Sequence, residues 1–174
     1  MIKKVAGMVL AGATMLSAQG ANPLVAELKT SYGNIKNSFV RIAEKMPEEF
    51  YGYKPVEGLE TFGRRVAHIA DANYAVCSGL KGENKRLGSA AKTAKADLVA
   101  AAKESFAYCD SVIDSLTDEQ ALETTPALGG PPLPAGTRRT RLFTLYNLVR
   151  HSNEVYGNMS LYLRLKGIVP PTSE

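Results

Sequence analysis

Two histidines carry most of the chemistry that this sequence could perform. Each is followed three positions later by an acid, in His68-x-x-Asp71 and His151-x-x-Glu154. Residues three apart share one face of a helix, so each pair could present an imidazole and a carboxylate together. If the two faces met in the core of a helical bundle, these side chains would be sufficient to bind zinc, nickel or iron.

A simpler interpretation of the same residues stays open. Any two helices that each contain a histidine and an acid show this pattern, and a lone histidine on an apolar face is more often structural than a metal ligand. In this alternative Asp71 and Glu154 are solvated, and the imidazoles are hydrogen-bonded within a mostly apolar core. The residue types alone do not decide between the two.

Four segments with apolar residues at helical spacing must position these side chains. They are 22–46, 61–80, 93–116 and 138–167. Asn22-Pro23 and Thr61 are typical helix starts, and Gly167 ahead of Pro170-Pro171 is a typical end. A capping box at Thr117-x-x-Gln120 predicts one more short turn, and residues 124–137, TTPALGGPPLPAGT, are predicted to form a loop. No segment alternates like a strand, so the sequence predicts an all-α four-helix bundle.

The N-terminus has the pattern of a cleavable signal peptide. Lys3 and Lys4 precede the short apolar run VAGMVLAGATML, and Ala18-Gln19-Gly20 offers the small-x-small pattern of a cleavage site. We therefore expect a signal peptide at 1–20, a bundle domain at 22–173, and a periplasmic or secreted mature protein without a stable membrane anchor. The alternative is an uncleaved N-terminal membrane helix, for which the apolar run is short.

The charge balance argues against a nucleic-acid partner. The chain has 21 basic and 17 acidic residues, and loss of Lys3 and Lys4 leaves 19 basic residues. This small, scattered excess does not form the basic patch that nucleic-acid binding needs. A small-molecule ligand and a homodimer both stay open.

The two cysteines, Cys77 and Cys109, fall on the second and third predicted helices. An exported chain meets oxidising conditions, so we expect them to pair if these helices are antiparallel neighbours. The alternative is two buried free thiols, which are common in protein cores.

Three stretches of the chain form a recognisable set: TFGRRVAHIADANYAVCSGLKGE, SFAYCDSVIDSLTDEQ and LVRHSNEVYGNMSLYLRLKGIVPPTS. Together they resemble the DinB/YfiT-like family of four-helix bundles, and the likeness covers roughly residues 24–173. The most specific part is the family's closing pattern His-x-x-x-His-x-Gly-Gln/Asn, followed by Leu-Arg-x-x-Gly-x-x-Pro-Pro. This chain matches it at His151, Gly157, Asn158, Leu163-Arg164, Gly167 and Pro170-Pro171.

The resemblance implies a divalent metal held by three histidines, one from the second helix and two, four residues apart, from the fourth. Some members of the family are metal-dependent thiol transferases. His68 and His151 match two of the ligands, but the third position is Val155, which cannot coordinate a metal. Glu154 is one residue away, and that step rotates it by about 100° around the helix. Asp71 is the other available acid.

We therefore expect an exported DinB-like bundle with a degenerate metal site. Its expected role is a binding or structural module of unknown ligand, holding zinc or nickel weakly or not at all. The alternative is a divalent-metal-dependent enzyme, a hydrolase or thiol transferase, that uses His68, His151 and a carboxylate from Glu154 or Asp71. No catalytic residue can be assigned from the sequence.

Overall fold

Four long helices make up more than half of the residues that the structure describes. A computed structural model of the protein describes residues 22–130 and 133–174, so the predicted signal peptide at 1–20 lies outside the described residues. The long helices are α1 (Pro23–Lys45), α2 (Phe62–Leu80), α3 (Lys95–Ile113) and α5 (Arg141–Leu165), and the five-residue α4 (Asp118–Leu122) precedes α5. The predicted helical bundle is therefore confirmed, with one additional short helix.

Hydroxyl side chains begin three of these helices, because they can accept a hydrogen bond from one of the unpaired N–H groups of the first turn. The Thr61 side chain accepts from Arg64 N at the start of α2, and that of Thr140 accepts from Phe143 N at the start of α5. Thr117 and Gln120 form the predicted capping box of α4. The C-terminal end of α5 is also as predicted, since Gly167 takes a positive φ of 73° there.

The start of α1 differs from the prediction. Asn22 does not cap its own helix; its side-chain oxygen accepts from Asp118 N at the start of α4. In return, the two carboxylate oxygens of Asp118 accept from Leu24 N and Val25 N, at 3.0 and 2.9 Å. The two helix starts therefore cap each other across more than ninety residues of chain, which a local pattern cannot show.

This reciprocal cap predicts a measurable loss of stability on substitution of Asp118. Asp118→Ala removes the acceptor of two N–H groups and a negative charge at a helix N-terminus, so we expect it to lower the free energy of unfolding by about 1–2 kcal/mol. Urea denaturation measures this loss. Glu119→Ala on the same short helix is the matched control, and an equal loss in both variants would contradict the assignment.

The core is one continuous cluster contributed by all four long helices. Its largest fully buried members are aromatic, aliphatic and sulfur-containing side chains: Phe39, Phe62, Phe106, Ile42, Met46, Ile69, Leu98, Ile113, Leu145, Met159 and Leu163. Tyr51, in the link between α1 and α2, is also buried, and Phe50 and Tyr53 pack against the cluster. These three aromatics extend the core into the link between α1 and α2.

The loop before α5 contains a small hairpin that the sequence analysis missed. Strands β1 (Thr124–Pro126) and β2 (Arg138–Thr140) pair antiparallel, with Thr124 opposite Thr140. The last helix was predicted from residue 138, but the strand pairing holds residues 138–140 in an extended conformation. The helix therefore begins at Arg141, directly after its Thr140 cap.

The predicted disulfide is confirmed. Cys77 on α2 and Cys109 on α3 are bonded, with their Cα atoms 5.4 Å apart, and both residues are fully buried. The bond cross-links α2 and α3 in the interior of the bundle. These helices run parallel, not antiparallel as the prediction assumed, since Gly63 lies beside Leu98 near their starts and Lys81 bonds Ser111 near their ends.

Across the two described ranges, we find no helix with the length and apolar character needed to cross a bilayer.

Candidate functional site

The side chains of His68 and His151 meet between α2 and α5. Their Nε2 atoms lie 2.8 Å apart, and the two rings are nearly perpendicular, with an interplanar angle of 83°. This is a hydrogen bond in which one imidazole donates and the other accepts, so the pair shares one proton along the line joining the two Nε2 atoms. The α2 and α5 faces that carry the histidines thus do converge.

Two adjoining cavities open beside this pair. One, of about 440 Å³, lies between α2 and α5 and is bounded by both histidines, by Asn147, Arg150 and Glu154 on α5, and by residues 128–130. The other, of about 340 Å³, lies on the far side of His68, towards residues 84–86. Leu128 and Gly129 border both cavities, so the loop of the hairpin forms a shared wall.

Two glycines allow the hairpin loop to lie directly on α2. A Cβ atom at Gly129 would come within 2.9 Å of Val76 Cγ2, and the φ of Gly129 is +70°. A Cβ at Gly79 on α2 would lie 3.0 Å from Leu128 Cδ1. The sequence predicted only a loop at residues 124–137, and it did not predict that Leu128 and Gly129 would line the cavities beside the histidines. The one signal in the sequence was the Gly129-Gly130 pair, which indicates an unusual backbone conformation or a close approach.

The two acids considered as substitute ligands have different surroundings. Both carboxylate oxygens of Asp71 accept hydrogen bonds from backbone N–H groups, from Ser89 at 2.7 Å and Ala90 at 3.0 Å. Asp71 therefore holds the short 3₁₀ turn at Ser89–Ala91. Glu154 is largely exposed, with one oxygen 3.8 Å from His151 Nδ1 and 3.8 Å from Arg150 Nη1. To bind a metal, Asp71 would have to give up both backbone hydrogen bonds, whereas Glu154 would give up only these two 3.8 Å contacts.

Val155, at the third ligand position of the family, belongs to the hydrophobic core. It is 4% exposed and lies one helical turn after His151 on the same side of α5. Within residues 22–130 and 133–174, no three His, Cys, Asp or Glu side chains come close enough together to hold a metal ion.

The spacing of the two histidines differs from that of two ligands on one zinc ion. Two imidazole nitrogens on one tetrahedral zinc, each about 2.0–2.1 Å from the metal, stand about 3.3–3.4 Å apart. The observed 2.8 Å is shorter. With two donors and no third, the residues present do not fit the three-histidine centre of the family. His68 and His151 as metal ligands stay a prediction.

The surroundings of His151 oppose its protonation. Burial lowers the pKa of His151 below the usual 6.5, and the nearby His68 lowers it further, while Glu154 acts in the opposite direction. A second proton on the pair would also require the Nε2–Nε2 hydrogen bond to break, because both facing nitrogens would then be donors.

This depressed pKa predicts that the protein loses stability in mild acid. The unfolded chain binds a proton at His151 more readily than the folded chain, so the free energy of unfolding falls as pH drops below about 6.5. The fall ends below the folded-state pKa, where both states are protonated. We expect urea midpoints measured between about pH 8 and pH 5 to show this loss. His151→Gln removes the titrating group and should flatten the profile; an unchanged slope in that variant would contradict the assignment.

Comparison with known proteins agrees with the bundle and its family. The family model described as the DinB superfamily matches residues 35–155. Among solved structures, a DinB-like protein from Bacillus cereus ATCC 10987, determined at 2.01 Å resolution, superposes with a TM-score of 0.68 and 18% sequence identity. The match covers 84% of this chain and 95% of that one, and it shows a shared fold. No curated protein gives a significant match. Because the family model spans well over half of the sequence, the chain belongs to the DinB superfamily.

Proposed function

We propose that this protein is an exported DinB-like binding module, whose ligand enters the cavity beside the His68–His151 pair and whose hold on divalent metals is weak. The observation that carries the proposal is the hydrogen bond between the two Nε2 atoms at 2.8 Å, at the edge of a cavity of about 440 Å³. A metal ion would have to break this bond, and Val155 offers it no third ligand in return.

The cavity suits a small molecule with both polar and apolar parts. The chain lines it with apolar surface from Ala72, Val76 and Leu148 and with polar groups from the two histidines, Asn147, Arg150 and Glu154. Its volume is within the range of small-molecule sites in proteins, and a few convergent polar groups on an apolar wall are typical of them. The histidine pair can both donate and accept a hydrogen bond at the cavity surface.

Metal titration tests the weak-metal part of this proposal. Untagged protein, freed of metal with EDTA, is titrated with Zn²⁺ and with Ni²⁺ in a calorimeter, with His68→Ala as the matched control. We expect a dissociation constant weaker than about 10 μM, because two neutral ligands compete poorly with water and buffer. Stoichiometric metal in the purified protein, or nanomolar binding that His68→Ala abolishes, would contradict the proposal.

A metal-dependent enzyme, a hydrolase or a thiol transferase, is the second candidate. The observation that favours it is the exposed Glu154 carboxylate 3.8 Å from His151 Nδ1, since rotation of this side chain could bring it to a metal shared with the imidazoles. Glu154→Gln discriminates between the two candidates. The variant should lose metal affinity if Glu154 is the third ligand, and should bind metal as weakly as the natural protein if it is not.

Export is the remaining part of the proposal. The basic start, the apolar run and the Ala18-Gln19-Gly20 pattern support cleavage near Gly20, and an internal disulfide suits an oxidising compartment. Intact-mass analysis of natively expressed protein should show the loss of about twenty residues. A full-length species recovered from the cytoplasm would overturn this part.

A further inference from the structure

The outward face of α5 carries a straight stripe of side chains that the rest of the described chain leaves uncovered. At about 100° per residue, its six positions fall within about 80° of arc around the helix. Five of the six are exposed and one is half-buried. From the N-terminal end, the stripe consists of Phe143, Asn147, Arg150, Glu154, Gly157 and Leu161.

The two ends of the stripe are apolar. Phe143 is 45% exposed and Leu161 is 58% exposed, and each has an exposed apolar neighbour: Tyr146 beside the stripe, and Leu165 one turn beyond its end. The Arg139 guanidinium lies over one side of the Phe143 ring, 5.1 Å from its centre. Each end of the stripe therefore has a pair of exposed apolar side chains rather than a single one, as interaction surfaces do.

Gly157 is a second, independent sign of a partner. A glycine in the interior of a helix costs roughly 0.5–1 kcal/mol relative to alanine. Yet a Cβ atom here would meet no heavy atom within 4 Å, so the fold of the single chain does not need the missing side chain. A small residue on an exposed helix face lets another backbone approach closely.

The order of residues along the stripe identifies that partner as a second copy of this chain. The stripe is symmetric in position about Ser152, so an antiparallel copy centred there places each residue opposite a complementary one. Phe143 then faces Leu161, Asn147 faces Gly157, and Arg150 faces Glu154, each contact occurring twice. We propose that two copies of the protein associate through their α5 stripes around a two-fold axis that crosses the stripe midway between Arg150 and Glu154, as an isologous interface requires.

Charge complementarity fixes the register of this association. Within one chain, Arg150 Nη1 and Glu154 Oε2 are 3.8 Å apart, and both side chains are more than half exposed. In the pair, each arginine gains the glutamate of the other copy, so two positive and two negative groups alternate at the centre. A shift by one helical turn would bring like charges together, which costs affinity and disfavours other registers.

The association would also cover the cavity beside the histidines. Asn147, Arg150 and Glu154 belong to the stripe and to the cavity lining alike. The second copy of α5 therefore passes over the cavity mouth and controls access to His151. This inference does not depend on the proposed ligand binding. It concerns the outer face of α5, and the mass of the particle in solution, measured without a ligand, decides it.

Sedimentation equilibrium of the full mature chain tests the proposal. We expect the mass of two chains at about 0.1 mM protein. Arg150→Glu alone and Glu154→Arg alone should each give a single-chain mass, because each places four like charges at the centre. The double variant Arg150→Glu/Glu154→Arg restores the complementary pairs and should restore the two-chain mass. Glu104→Lys, an exposed charge reversal on α3, is the control and should leave the mass unchanged.

Gly157→Gln separates loss of association from loss of folding. The glutamine side chain has open space in the single chain and a better helix propensity than glycine. The melting temperature of protein too dilute to associate should therefore hold or rise, while the mass at about 0.1 mM falls to one chain. A single-chain mass for the natural protein at this concentration would overturn the proposal. So would a two-chain mass that persists in both single charge reversals, since the interface would then lie elsewhere.

Discussion

Reduction of the Cys77–Cys109 disulfide is expected to lower the free energy of unfolding by about 4 kcal/mol. The bond joins residues 32 positions apart in the chain. In the chain-entropy account, a cross-link of this span removes about 12 cal/mol/K from the unfolded ensemble, or about 3.7 kcal/mol at room temperature. For a domain of this size the loss corresponds to roughly 10 °C in melting temperature. It is a large share of the stability of an ordinary domain.

Two preparations of the same chain measure this effect. The natural protein is unfolded, reduced and refolded with its thiols kept reduced, and its urea midpoint is compared with that of the oxidised protein. The control is Cys77→Ala/Cys109→Ala, whose midpoint should not respond to reductant. Titration of unreduced, denatured protein from an exporting host should find no free thiol; two free thiols would show that the bond does not form there.

The helices were readable from the sequence because they follow from helical periodicity. The meeting of the histidines stayed conditional on periodicity alone, and the family resemblance was what placed both in one site. His68 and His151 lie beside the apolar stripes of α2 and α5, and these stripes are buried against each other in a bundle. Thr61, Thr117-x-x-Gln120 and Gly167 marked helix ends correctly, since caps are local interactions between residues a few positions apart.

Features that depend on distant parts of the chain could not be read in this way. The cap formed by Asp118 on α1 joins residues 93 and 94 positions apart. The hairpin at β1 and β2 is three residues long on each side and too short for any alternation to show. Asp71 looked like a free acid beside His68, but its carboxylate is used to hold Ser89 and Ala90.

Asn73 illustrates the limit of the apolar pattern within the core itself. It stands at helical spacing between Ile69 and Val76 on the inner face of α2, and it is fully buried there. Neither atom of its side-chain amide has a hydrogen-bond partner among the described residues. A buried amide without partners costs stability, and helical spacing, which counts only apolar positions, does not predict that cost.

The second large effect is expected at Val155. Replacing this buried valine by histidine should destabilise the metal-free protein by about 1–3 kcal/mol, because a polar ring takes the place of an apolar side chain in the core. The same change adds an imidazole one turn after His151, on the side of α5 where His68 arrives from α2. Three imidazoles can hold a zinc ion, with its fourth position left open.

Added metal should therefore reverse the loss in Val155→His and leave the natural protein unchanged. A metal that binds only the folded state stabilises it by about 2.7 kcal/mol at one hundred times the dissociation constant and by about 4.1 at one thousand times. Melting curves of both proteins with Zn²⁺ and with EDTA measure this difference. Val155→Asn is the matched control, since it brings a similar polar burden without a strong zinc ligand. The double variant His68→Ala/Val155→His should lose the metal response.

The outcomes of this experiment separate three arrangements of the site. A metal response in Val155→His alone means that His68, His151 and position 155 converge on one point and that valine is what disables the centre. Tight binding by the natural protein means that a carboxylate has replaced the third imidazole; Glu154 is the better candidate, because Asp71 would have to release two backbone N–H groups. If added metal does not stabilise Val155→His, the side chain at position 155 does not reach His68 and His151. The two histidines would then remain joined by the 2.8 Å hydrogen bond between their Nε2 atoms. Their role would be to offer hydrogen bonds to a ligand in the cavity rather than to bind a metal.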